Sequence, residues 1–122
     1  MIILHVDDER DIREIVKLAL EMEGGIEVES VGSGEEALGV VDRKAHDLLL
    51  LDVMMPGMSG PTLKKTLNKD PGTKDLPVIF MTAAAQMQTR IELLALGALG
   101  VIEKPFDPMT LSSEIRKLMP AA

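Results

Sequence analysis

Residues 48–51 are four leucines in succession, followed by Asp52, the apolar Val53, Met54 and Met55, and the turn "PGMSG". A short apolar run without alternation has no polar face to offer solvent. As a strand it must be covered on both sides. The rest of the chain supplies the cover. "IILHV" (2–6), "IEVESV" (26–31), "VIFMT" (78–82) and "VIEK" (101–104) are further strand-like runs, and helical patterns separate them. Ile12, Ile15, Val16, Ala19 and Met22 recur at helical spacing ahead of Gly24-Gly25, which ends the first helix. "GEEALGVVDRKA" (34–45) predicts a second helix, residues 61–69 a third, and Gln86 to Leu96 a fourth with Met87, Ile91, Leu94 and Ala95 on one face. Asp107 and Pro108 read as the N-cap and first position of a fifth, which turns Leu111, Ile115 and Leu118 inward.

Strands alternating with helices imply an α/β fold: a doubly wound parallel sheet of five strands, with helices on both faces. "IEVESV" alternates apolar with acidic residues and belongs at an edge. Right-handed crossovers then favour the strand order 2-1-3-4-5. A length of 122 residues fits one domain over the whole chain, 1–122. With no cysteine there is no disulfide and no thiolate metal ligand. The net charge of −7 argues against nucleic acid as a partner. No apolar run can cross a bilayer and no basic leader precedes the first strand, so a cytoplasmic, membrane-free location is expected.

The strands end in chemistry. Strand one runs into Asp7 and Asp8, strand three into Asp52, strand four into Thr82 and strand five into Lys104. In a parallel sheet these ends share one edge, and ligands bind where the strand order reverses, here between strands one and three. Three crowded carboxylates repel one another and call for a cation. Mg²⁺ suits them, since it takes one or two carboxylates, keeps waters and bridges to phosphate. Lys104 offers a positive charge to a phosphoryl oxygen and Thr82 a hydroxyl. Such a set fits phosphoryl transfer, with Asp52 as the nucleophile that becomes an aspartyl phosphate.

"VDDERDIR", "LLLLDVMMPGMSG", "VIFMTA" and "VIEKPFDP" together resemble the receiver domain of two-component response regulators, almost from end to end. The resemblance implies a flavodoxin-like fold and a phosphoryl group accepted on Asp52 from a sensor histidine kinase or a phosphotransfer protein. It implies that Asp8, Asp52 and the backbone carbonyl of Met54 hold Mg²⁺ directly, with Asp7 acting through water. Met54, Thr82, Ala83 and Lys104 would contact the phosphoryl group, and the Lys104–Pro105 bond would be cis. Thr82 and position 101 would form the switch, although Val101 replaces the aromatic residue of many relatives. Met54 and Ala84 would line the approach to the phosphate and set its lifetime. The implied output is a downstream protein partner, and the chain is expected to be either a stand-alone receiver with no metabolic activity or a receiver excised from a larger regulator.

Taken singly, each residue has a plainer reading. Asp8 alone would cap the first helix, Asp7 alone would be a solvated loop acid, and Lys104 alone a solvated strand tip. His5 and His46 read as structural, and Phe80 and Phe106 as core. Two rival functions share these parts. A Mg²⁺-dependent phosphatase would need a second acid two residues after Asp52, where Met54 stands. A receiver-like interaction module could keep the fold without phosphorylation.

Overall fold

The computed structural model describes residues 1–42, 45–84 and 86–120. Strands β1 (Ile2–Val6), β2 (Glu27–Val31), β3 (Leu48–Asp52), β4 (Val78–Thr82) and β5 (Gly100–Glu103) alternate with helices. These are α1 (Arg10–Glu21), α2 (Gly34–Val40), α3 (Gly60–Asn68), α4 (Met87–Ala95) and α5 (Leu111–Leu118). All strand pairs are parallel and the order is β2-β1-β3-β4-β5, as the pattern predicts. The alternating acidic strand β2 forms an edge, and the leucine strand β3 the centre.

The leucine run divides between two cores. Leu49 and Leu51 join Leu4, Val6 and Phe80 beneath Ala37 of α2, Leu63 and Leu67 of α3 and Leu93 of α4. Leu48 and Leu50 join Ile3, Ile79 and Met81 beneath Val16 and Leu20 of α1 and Leu111 and Ile115 of α5. None of the four leucines exposes surface. Each contributes about 1.5–3 kcal/mol by leaving water, and a polar residue at any of them has no solvent to face. The same sheet makes β3 a stiff support for Asp52.

Several local readings change. Helix α5 starts at Leu111 with Thr110 as N-cap. Asp107 instead closes a preceding turn: its Oδ1 accepts from the Met109 amide at 2.9 Å and its carbonyl from the Thr110 amide at 3.1 Å. Asp–Pro thus opens a turn that delivers the chain to the helix. Helix α2 ends at Val40, and Val41 is already extended. The part of the predicted helix at residues 43–44 lies outside the described residues. In α1 the buried stripe is Val16 and Leu20, with Ile12 packed at its margin. Ile15, Leu18 and Met22 project instead into a groove that Met109 and Pro108 close from the far side. In α4 the predicted apolar face points outward: Met87, Ile91, Leu94 and Ala95 are exposed, and Leu93 alone is buried. Just beyond the helix, Leu96 in part and Ala98 also reach the core.

Candidate functional site

The strand ends converge as the parallel order requires. β1 leads directly into Asp7, β3 ends in Asp52 and β4 in Thr82. Thr82 pairs with Glu103, and the Lys104 amide donates to the Thr82 carbonyl at 2.9 Å, carrying the ladder one residue past β5. The Lys104–Pro105 bond is cis. From there the Lys104 ammonium donates to Asp52 Oδ1 at 3.0 Å and to Asp7 Oδ2 at 3.1 Å. One cation thus links the ends of three strands. Asp8 completes the group, with carboxylate oxygens of Asp7, Asp8 and Asp52 all within 4.8 Å of one another.

The acids differ in depth. Asp7 has no exposed surface and Asp52 only 5 %, whereas Asp8 is exposed. The plainer reading of Asp7 as a solvated loop acid therefore does not hold, since Asp7 is the most deeply placed member of the group. Its amide donates to the Val31 carbonyl at 3.2 Å, and its Oδ1 accepts from the Glu9 amide at 2.9 Å. Asp8 does not cap α1; the N-cap is Glu9, which makes no capping bond through its side chain. Thr82 is buried, and its Oγ1 accepts from the Ala84 amide at 3.0 Å. Met54, Ala83 and Ala84 are exposed around the opening, while Val101 is half-buried against the core. Both phenylalanines pack inward, Phe80 fully and Phe106 in part.

Burial raises the Asp52 carboxyl above its ordinary range, and Asp7 and Asp8 push in the same direction against Lys104. Burial alone would lower the Lys104 ammonium, but its hydrogen bonds to Asp52 and Asp7 outweigh that and leave it raised. His5, behind Asp7, is brought down to about 4 by burial, helped by Lys104 and Arg13 and opposed by Asp7. It is neutral at physiological pH, and neither ring nitrogen has a hydrogen-bond partner. The donor set suits a hard divalent cation: three carboxylates, one of them open to solvent, in a pocket where desolvation and mutual repulsion disfavour bare charge.

Three supporting features escaped the sequence reading. Gly60, at the head of α3, lies so close to the Asp52 carbonyl oxygen that a Cβ there would collide with it. The glycine is therefore required for α3 to begin against the acid's own backbone. His46 is structural, as read, but through specific bonds. Its Nδ1 accepts from the Asp42 amide at 3.1 Å and its Nε2 contacts Glu29 Oε1 at 2.7 Å, tying the edge strand to the approach to β3. The third is Arg13, which donates to the Asp7 carbonyl at 2.7 Å. No local motif announces these contacts: the His46–Glu29 bond joins separate segments, and the Asp42–His46 and Arg13–Asp7 bonds, though only four and six residues apart, follow no standard pattern.

A doubly wound sheet with a lysine-bridged acidic pocket at the switch between β1 and β3 defines a class of domain with a donor set that could hold a divalent ion at the carboxyl edge of its strands. Comparison narrows the class. Residues 3–116 match the response regulator receiver domain, and the chain belongs to that family. It is 41% identical over 117 residues to the phosphate regulon transcriptional regulatory protein PhoB of Pseudomonas aeruginosa, covering 96% of this chain and 51% of that protein. It is 40% identical to the transcriptional regulatory protein YvrH of Bacillus subtilis, covering 93% of this chain and 47% of the relative. The chain thus spans about half the length of these curated relatives. Among solved structures, chemotaxis protein CheY4 of Vibrio cholerae superposes with a TM-score of 0.87 at 34% identity, over 97% of this chain and 98% of that one. No helix among the described residues is long and apolar enough to cross a membrane.

Proposed function

We propose that this chain is a phosphorylation-controlled signalling switch that accepts a phosphoryl group on Asp52. The observation that carries the reading is the Lys104 ammonium shared between Asp52 and Asp7 at the mouth of the acidic cluster. Lys104 fixes one oxygen of the Asp52 carboxylate and stands where negative charge would gather on a transferring phosphoryl group. In the transfer, an Asp52 oxygen bonds to phosphorus as the bond from phosphorus to the donor's imidazole nitrogen breaks, and the imidazole keeps that electron pair. Asp7, Asp8, Asp52 and the Met54 carbonyl would hold Mg²⁺, which when bound neutralises phosphoryl charge. The donor is a histidine kinase or a phosphotransfer protein, and the product binds a downstream protein partner in the cytoplasm. The chain's own chemistry is confined to gaining and losing this group, so it is a switch and not a metabolic enzyme.

Thr82 supplies the link to conformation. Its hydroxyl now takes the Ala84 amide, and a phosphoryl group on Asp52 offers a charged alternative. Moving a population from 1:99 to 99:1 takes about 5.5 kcal/mol. Hydrogen bonds to charged groups supply roughly 1.5–3 kcal/mol each. Thr82 and one or two backbone amides, that of Ala83 among them, would reach that range. Val101 offers no aromatic ring to follow the threonine, so the shift is read by other parts of the surface.

The test is intact mass spectrometry after incubation with Mg²⁺ and a small phosphodonor. One phosphoryl group is expected, mapped to Asp52 and absent with chelator; an adduct elsewhere would refute the site. The same samples address lifetime. Met54 and Ala84 offer no polar side chain to orient a hydrolytic water. Polar replacements at both should speed loss of the group, and an unchanged decay would separate these positions from the lifetime.

A further inference from the structure

We infer that Arg13 is a positioning residue for the metal-binding acids: its guanidinium fixes the peptide joining Asp7 to Asp8 and thereby sets how tightly the pocket holds a divalent cation. The inference rests on reading the acidic pocket as a Mg²⁺ site. Arg13 is the fourth residue of α1, and a helical side chain there leans back toward the helix start, over the end of β1. Its Nη1 donates to the Asp7 carbonyl at 2.7 Å. That carbonyl belongs to the peptide whose two flanking residues both supply carboxylates to the cluster. Turning the peptide would move Asp7 and Asp8 relative to each other and to Asp52.

None of the other restraints bonds this carbonyl. The Asp7 amide is held by Val31 and its carboxylate by Glu9 and Lys104, while Asp8 is exposed and is aimed by the peptide that precedes it. The passage for the guanidinium is built into the fold. Gly32, just beyond β2, leaves it room: a Cβ there would stand 3.3 Å from Arg13 Nη1 and 3.7 Å from Cζ. Glu36 flanks the same glycine, accepting from its amide at 3.3 Å. A planar, permanently charged donor suits this slot better than a lysine, whose ammonium lacks the fork. Groups that orient metal ligands without touching the metal commonly change affinity by about 10–100-fold when removed.

The experiment is calorimetric titration of the metal-free chain with Mg²⁺, alongside melting in chelator to follow folding. Arg13→Gln should weaken Mg²⁺ binding by about 10–100-fold. Arg13→Lys should fall between that variant and the wild type, and it decides the matter alone if Arg13→Gln does not fold. Arg10→Gln removes the same charge from α1 at a side chain that is 81 % exposed and paired with Glu14, and it should bind as the wild type does. Unchanged affinity in the Arg13 variants overturns the inference. So does equal weakening in Arg10→Gln, which would assign the effect to net charge. A wild-type chain that binds no Mg²⁺ would instead remove the reading of the pocket on which the inference stands.

Discussion

Asp52→Asn should take up no phosphoryl group and, without metal, should be more stable than the wild type at neutral pH. The first result follows from loss of the nucleophile. The second follows from the raised carboxyl of Asp52, which burial, Asp7 and Asp8 all push upward. A carboxyl raised in the folded state holds its proton more tightly there than in the unfolded chain. Stability therefore falls as pH rises through that window and stays lower above it. Asparagine carries no such charge, so its advantage is full above the folded-state value for Asp52. The advantage fades as pH falls from that raised value toward the ordinary carboxylate range and is gone below it. Urea unfolding at several pH values, followed by far-ultraviolet circular dichroism because the chain has no Trp or Tyr, reads the difference directly. A variant no more stable than the wild type at neutral pH would mean that Lys104 fully offsets the buried charge. Added Mg²⁺ should narrow the gap, since it favours the wild-type carboxylate.

Lys104→Met should act in the opposite direction and cost the metal-free protein about 3–5 kcal/mol, the usual cost of stripping one partner from a buried pair. Asp7 exposes nothing and Asp52 only 5 %, so neither can recover its lost partner from water. The raised Lys104 ammonium gives the same sign: the stability it contributes is complete at neutral pH and is lost only as pH climbs through its folded-state value. The penalty in the variant should shrink in acid, as the raised Asp52 carboxyl takes up its proton. Combining Lys104→Met with Asp52→Asn should restore part of the loss, because one of the stranded charges is gone. Strict additivity of the two changes would contradict the shared bridge. Denaturant midpoints for the four proteins provide the cycle.

The parts of this molecule that the sequence makes legible are those governed by period and order. Four leucines ending in an acid specify a central strand, and parallel topology then assigns Asp7, Asp8, Asp52, Thr82 and Lys104 to one edge. The readings that changed concern which side of a helix meets a sheet of unknown extent. Ile15 and Met22 satisfy the helical period as well as Leu20 does, but Val16 and Leu20 alone reach full burial on α1. In α4 the expected face, Met87, Ile91 and Leu94, is the solvent side. Asp107 and Pro108 spell a helix start, yet the aspartate spends its oxygen on a turn one step earlier. Depth was the least legible property. Asp7 looks like a loop acid until Lys104, 97 positions later, closes over it. The Arg13 clamp spans only six residues, but the room that Gly32 makes for it comes from a separate strand end.

Helix α4 follows directly on the loop that carries Ala83 and Ala84, and Leu93 is the one side chain it sinks into the core. The leucines of β3, by contrast, are gripped from both faces. A disturbance beginning at Thr82 therefore meets unequal resistance: the central strands hold firm, while the neighbouring helix is cheap to detach. Fraying or tilting there would withdraw little more than Leu93 from the core and carry the already exposed Met87, Ile91 and Leu94 with it, while the sheet keeps its foundation whole.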